Sequence, residues 1–224
     1  MWATAPYAPI RNRKVEAIAT MKRGSHKVSV AMLGARMHYA VPRILYNRGL
    51  LDRLYTDSYI GNKPGLEFLL SCLPAKLRPD NIQRLLGRKD NSIPPELVTS
   101  FDWLGVNYAL ARRKARNENE RATVYEQFGA IFNAEVIKHG FGDADTVWGF
   151  NSACTEIFRA ASRAGLNRIV EQTILPSSIE SQLLLGVAEE WLGWQPGFRI
   201  SGDRLQSREE EEWDLATRIV VGSE

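Results

Sequence analysis

Hydrophobic and polar positions alternate along this chain between two textures. Short, near-continuous apolar runs suit strands of a parallel sheet covered on both faces, and longer stretches with apolar residues at every third or fourth position suit helices. The first run is Val28 to Leu33. Gly34 follows it, and its freedom to take a positive φ allows a sharp turn into a helix whose opening amides can face an anion. Pro42 suits the first turn of that helix, with Ile44, Leu45, Leu50 and Leu51 as apolar positions along or just after it. Leu54 to Thr56 predicts a second strand. Between Gly61 and Pro95, prolines 64, 74, 79, 94 and 95 punctuate two brief helical patterns, Leu66 to Leu73 and Asn81 to Leu86. That texture predicts a helical insertion beside the sheet.

Leu97 to Phe101 predicts another strand, followed by two helices, Trp103 to Arg116 and Asn119 onward, broken near Asn117 to Asn119. Strand and helix then alternate regularly. Ala144 to Phe150 predicts a strand, Asn151 and Ser152 predict the cap of a helix from Thr155 to Ala164, and Gly165 predicts its end. A strand over Asn167 to Thr173 follows, then a helix opened by Pro176 and a Gly- and Pro-rich loop from Gly193 to Gly202. An acidic helix from Ser207 to Ala216 and a strand from Arg218 to Val221 close the pattern. The alternation predicts an α/β fold with a doubly wound parallel sheet, without internal repeats.

Composition adds limits. A hydrophobic fraction of 44% and a charged fraction of 25% belong to a soluble globular protein, and a net charge of +3 is too small to argue for nucleic acid. Cys72 and Cys154 lack the paired spacing of a zinc site or a disulfide framework, which predicts buried thiols in a reducing, cytoplasmic compartment. No run approaches the ~18 apolar residues of a spanning helix. Residues 1–26 carry Pro6, Pro9, Arg11, Arg13 and Lys14 but no apolar signal core, which predicts a disordered extension, with Met21 as a natural start and one domain over residues 27–224.

Two charged stretches carry alternatives. Leu73 to Pro79 mixes apolar and basic residues as a peripheral membrane surface would, and a solvated helix pair accounts for the same mixture. The basic run Arg112 to Arg116 complements a helix C-terminus or offers a patch for phosphate or acidic lipid. The acidic run Glu209 to Glu212 predicts a solvated helix N-terminal half and no metal site.

Taken in order, several segments resemble one family. These are the opening strand with Gly34-Ala-Arg-Met-His-Tyr39, the Ala144-Asp145 strand, the strand ending Val170-Glu-Gln-Thr173, and Arg208 through Glu224. Over Lys27 to Glu224 the chain resembles the N-terminal half of a family 4 glycosyltransferase of the GT-B type. The resemblance implies a Rossmann-like domain that holds the acceptor, facing a second domain that holds a nucleotide sugar. It further implies sugar transfer to a glycan or lipid-linked acceptor with retention, at the inner face of the membrane or free of it. The nucleotide sugar is a substrate, and no cofactor is implied. Nothing in this chain matches the donor-binding domain, so the isolated chain is expected to be inactive.

Residue by residue, the Gly34-Ala35 turn matches the family loop whose amides approach donor phosphate. Arg36 and His38 follow it and are candidates to touch phosphate or acceptor. Many members place a histidine where this sequence has Phe150 and Asn151, a departure that leaves Asn151 as an acceptor ligand or only a helix cap. Glu171, at a strand end, is a candidate base or sugar ligand, with a backbone amide or Arg168 as its structural alternative. Glu171 and His38 are therefore the catalytic candidates, and Gly34, Ala35, Arg36 and Asn151 the binding ones. A non-catalytic module that binds a glycan or a partner is the competing reading. A nicotinamide dehydrogenase is disfavoured because the G-x-G-x-x-G fingerprint is incomplete.

Overall fold

The computed structural model of the protein describes residues 26–191 and 203–222. The expected leading extension through residue 25 and the expected loop from Gly193 to Gly202 lie outside them.

Six strands form one parallel sheet: β1 (Val28–Met32), β2 (Leu51–Thr56), β3 (Val98–Ser100), β4 (Thr146–Phe150), β5 (Asn167–Gln172) and β6 (Arg218–Val221). Their order is β3-β2-β1-β4-β5-β6. The first three strands therefore wind outward in one direction and the last three in the other, which is the Rossmann-like arrangement with its switch point between β1 and β4. Every residue of β1 is buried, Ser29 included, as its near-continuous apolar run predicts for a central strand.

The pleat divides β1 between two cores. Val28, Val30 and Met32 pack with Tyr39, Leu45, Leu54, Tyr59 and Ile93. This core lies under α1 (Ala40–Asn47) and the insertion, which contains α2 (Pro64–Ser71) and α3 (Asp80–Leu86). Ala31 and Leu33 pack on the opposite face with Val147, Phe132, Val136, Ile157 and Phe158. That face is covered by α5 (Glu118–His139), α6 (Thr155–Arg163) and α8 (Asp203–Leu215), with α4 (Asp102–Lys114) and α7 (Ser177–Glu190) flanking it. Gly149 lets α6 approach β4 closely. A Cβ there would sit 2.5 Å from that of Cys154. Cys154 is buried as expected, and Cys72 is exposed because it follows α2, a helix that buries none of its residues.

The acidic run departs most from expectation. α8 begins one turn before Ser207, and Glu209 and Glu212, a helical spacing apart, are buried. Ser152 and Cys154 donate their backbone N–H groups to the two Glu212 oxygens at 2.6 and 2.8 Å, and Thr155 Oγ1 donates at 2.9 Å. The cap of α6 therefore comes from Glu212, and neither Asn151 nor Ser152 supplies it. Glu209 does the same for α7, accepting from Ser177 N at 2.7 Å and from Gln172 Nε2 at 2.6 Å. The physical reason is reciprocal: helix N-termini present unpaired amides and positive potential, and a buried carboxylate is tolerated only among such donors. Glu211 points outward and pairs with Arg159, so only the two middle members of the run, Glu210 and Glu211, reach solvent.

Glu156, in the first turn of α6, meets Arg208 of α8 through two hydrogen bonds at 2.6 and 2.9 Å and also accepts from Asn133. Burial alone would raise this carboxyl, but the Arg208 and Asn133 hydrogen bonds outweigh it and hold the group at about 2.

Two outcomes follow for stability. Glu212→Ala strands buried donors and is expected to cost about 3 kcal/mol in urea unfolding, against about 0.5 kcal/mol for a solvated glutamate. A cost within the solvated range would show that the cap is dispensable. Because Glu156 binds its proton less readily folded than unfolded, its contribution is complete above its ordinary value of 4.5 and is lost as pH falls towards about 2. Glu156→Gln is expected to flatten the stability profile across that window, as read by unfolding at stepped pH.

Candidate functional site

The switch point lies at the C-terminal ends of β1 and β4, and each strand runs into a strained loop. Met37, His38 and Tyr39 hold φ of 46, 48 and 60°, and Ser152 holds 63°. These are all the non-glycine residues with positive φ among the described residues. A left-handed conformation costs an L-residue about 1–2 kcal/mol, so such geometry persists only where surrounding contacts impose it. Tyr39 is the anchor of the first loop. Its buried ring meets Tyr59 edge-on at 5.3 Å, and its hydroxyl donates to Ser58 O at 3.3 Å. Glu212 restrains the second loop through Ser152 N.

Gly34 adopts φ +87° as the expected sharp turn requires. Its amide, however, does not face an anion-binding space. It donates to Asp57 Oδ1 at 2.9 Å, and the other oxygen of this buried carboxylate pairs with Arg88 at 2.6 Å. Asp57 follows β2, the neighbour of β1, and a buried carboxylate there takes whichever donors the next strand end offers. Ala35 packs against the core under α1, and its carbonyl accepts from His38 N at 3.3 Å. The His38 side chain is exposed on the outer side of the same loop.

Arg36 points into the switch point. Nη1 donates to Asn151 Oδ1 at 3.3 Å and to Thr173 Oγ1 at 3.0 Å, while Nη2 donates to the Tyr125 hydroxyl at 2.9 Å. Its guanidinium carbon lies 5.6 Å from the centre of the Phe150 ring. Every one of these partners is neutral, and among the described residues no carboxylate pairs with Arg36. Among the described residues a cation is thus held at the meeting point of β1, β4, β5 and α5 with no carboxylate in salt-bridge contact.

Asn151 acts as a bridge. Its Oδ1 also accepts from Thr173 N and Oγ1, at 3.3 and 2.9 Å, which ties the end of β4 to the end of β5. Glu171, buried near the end of β5, accepts from Trp148 Nε1 at 3.0 Å. Neither alternative partner holds it, because Arg168 is engaged by the carbonyls of Leu215 and Leu166. Burial raises the Glu171 carboxyl above the usual range, and the Trp148 hydrogen bond and the charge of Arg36 pull it part of the way back. Burial likewise raises the Tyr125 hydroxyl, again opposed by Arg36.

The structure therefore brings together Arg36 and Asn151, with Glu171 within electrostatic reach of the guanidinium. It adds Tyr125, Thr173 and Trp148, which the sequence pattern did not single out. Thr173 sits at a strand end and was findable by that position, whereas Tyr125 is hidden in the periodicity of a long helix. Chemically, a fixed cation with neutral partners suits an anion such as a phosphate, and a carboxyl raised by burial suits proton exchange or a hydroxyl ligand.

One Tyr-x-x-x-Lys spacing, Tyr59 and Lys63, is structural. The Tyr59 hydroxyl exchanges hydrogen bonds with the backbone of Asp90, and Lys63 is held by Asp102, Ser100 and Tyr59 O. Among the described residues no group of three His, Cys, Asp or Glu is arranged to hold a metal ion.

No protein-family model matches this sequence, and no curated protein does. Among solved structures, a UDP-glucosyltransferase from Polygonum tinctorium capable of glucosylating indoxyl, in complex with 3,4-dichloroaniline, aligns with a TM-score of 0.43 and 10% identity. The alignment covers 91% of this chain and 48% of that one, so the chain spans about half the length of that enzyme. The fold is Rossmann-like α/β.

The electrostatic coupling is measurable. By carbon-detected NMR titration, the Glu171 carboxyl is expected to titrate above an ordinary glutamate, and to move higher in Arg36→Met and in Trp148→Phe, since each removes a group that favours the carboxylate. An unchanged titration in Arg36→Met would separate the two residues.

Proposed function

We propose that this chain is the acceptor-side domain, residues 27–224, of a retaining cytoplasmic glycosyltransferase that takes a nucleotide sugar and a glycan or lipid-linked acceptor. The observation that carries this reading is the guanidinium of Arg36, held among neutral hydrogen-bond partners at the switch point, with no carboxylate of the described residues in salt-bridge contact and the Glu171 carboxyl, raised by burial, within its field. Ligands of open α/β sheets bind at that position. Family resemblance over the same segments supplies the reaction class.

In this reading Arg36 takes an oxygen of the donor diphosphate, the role first assigned to the Gly34 amide, which Asp57 occupies. Glu171 orients an acceptor hydroxyl. The bond from the anomeric carbon to the diphosphate breaks as the bond to the acceptor oxygen forms on the same face, and the acceptor proton passes to the leaving diphosphate. Negative charge grows on the diphosphate during that step, where a fixed cation lowers the barrier. The thiols of Cys72 and Cys154 are both unpaired, in keeping with a reducing compartment.

The test joins the chain to a donor-side Rossmann domain and offers UDP-, GDP- and ADP-linked hexoses with glycan and lipid-linked acceptors. Transfer with retention is expected, with Arg36→Ala and Glu171→Gln each lowering kcat/KM about 100-fold. Failure with every donor would remove the reading. Saturable glycan binding by the chain without turnover would instead support the non-catalytic module.

A further inference from the structure

Two helices that leave the C-terminal edge of the sheet turn apolar side chains outward. On α4, Leu104 and Gly105 are buried while Trp103, Val106 and Leu110 are 52, 58 and 52% exposed. These three lie on one face, and Arg113 and Lys114 continue that face through the last turn, flanked by Arg112 and Arg116. A surface helix in a globular protein carries the opposite pattern. On α2 and in the turn after it, Phe68, Leu69 and Leu77 are 70, 66 and 73% exposed, with Lys76, Arg78 and Arg84 among them along the insertion.

The two apolar faces share a corner. Lys63, immediately before α2, pairs with Asp102, the first residue of α4, at 2.8 Å. The acids of this region are largely neutralised: Glu67 pairs with Lys89, Asp90 with Arg43 and Asp102 with Lys63, which leaves Asp80 and Glu96. The balance is therefore strongly basic across Lys63 to Arg116, although the whole chain carries only +3. No helix of the described residues is long and apolar enough to cross a membrane.

We infer that α4 and the α2–α3 insertion form a surface that seats on a bilayer carrying anionic phospholipid headgroups. Trp103, Val106, Leu110, Phe68 and Leu69 enter the interface, and the arginine and lysine side chains meet lipid phosphates. Charge complementarity separates this surface from the other exposed apolar helix. α7 shows Leu183, Leu184, Leu185 and Val187 to solvent but carries Glu180, Glu189 and Glu190 and no basic residue. The apolar stripe likewise separates a bilayer from a nucleic acid, which would meet the basic run but leave the leucines and Val106 without a partner. The surface stands whether or not the chain transfers sugar, and vesicle binding is measured without any sugar substrate.

The test is flotation of the full chain with vesicles of phosphatidylcholine alone and of equal parts phosphatidylcholine and phosphatidylglycerol. Binding is expected to the anionic vesicles, weakening as salt is raised, with a blue shift of tryptophan emission that Trp103→Phe diminishes. Because the altered residues are exposed, two variants are scored independently, each checked for wild-type circular dichroism. Arg112→Glu with Arg113→Glu and Lys114→Glu is expected to weaken partitioning at least fivefold per residue, as loss of a lysine or arginine near an anionic surface does, and Phe68→Ser with Leu69→Ser is expected to weaken it at least tenfold. No flotation with anionic vesicles, equal binding to neutral ones, or wild-type binding by both variants would overturn the inference. So would tight binding of single-stranded RNA in place of vesicles.

Discussion

A buried carboxylate on the last helix fixes the geometry of the switch point. Glu212 accepts from two backbone amides and a hydroxyl at the start of α6, and the first of those amides belongs to Ser152, in the loop that follows β4. Without those donors the carboxylate would be too costly to bury, and without the carboxylate the helix end would bury unpaired amides. Each tolerates the other. Glu209 repeats the arrangement at α7 and also holds Gln172, whose carbonyl oxygen accepts from Trp213. α8 thus acts as a strut across the ends of β4 and β5.

The first loop is held from the other side of the sheet. Asp57 grips the amide of Gly34 and is itself held by Arg88, which comes from the helical insertion. The insertion therefore does more than cover the sheet, since it supplies the counter-ion that allows a buried carboxylate to shape the turn after β1. Between these two braces lies Arg36, the charge that neither brace neutralises. Its neutral partners fix its direction but leave its field available, and Glu171 lies within that field. A lipid-facing surface on α2 and α4 would set the same sheet edge towards a membrane, which suits an acceptor carried on lipid.

Much of this was legible in advance. The apolar run of β1, the proline-punctuated insertion, the break between α4 and α5, and the strand–helix alternation after Ala144 all follow from side-chain spacing and backbone preference, which act over a few residues. Arg36, Asn151 and Glu171 were nameable because strand ends in such sheets converge. Their partners were not. Asn151 looked like a cap because that is its common local role, yet Thr173 and Arg36 claim its side chain.

The sequence by itself determined the parallel sheet, its element order and the segments from which a site would come, because those depend on periodicity and turn chemistry within short windows. Only the tertiary structure decided which polar groups satisfy which. Cys154 and Glu212 are 58 positions apart, Arg36 and Thr173 are 137 apart, and no local preference encodes either pairing. An acidic run reads as solvated until packing buries its first and last members, Glu209 and Glu212, and a glycine amide reads as free until a neighbouring strand end takes it. The reason is physical: a buried donor or acceptor must be paired, but the identity of its partner depends on which distant segment the fold brings within about 3 Å.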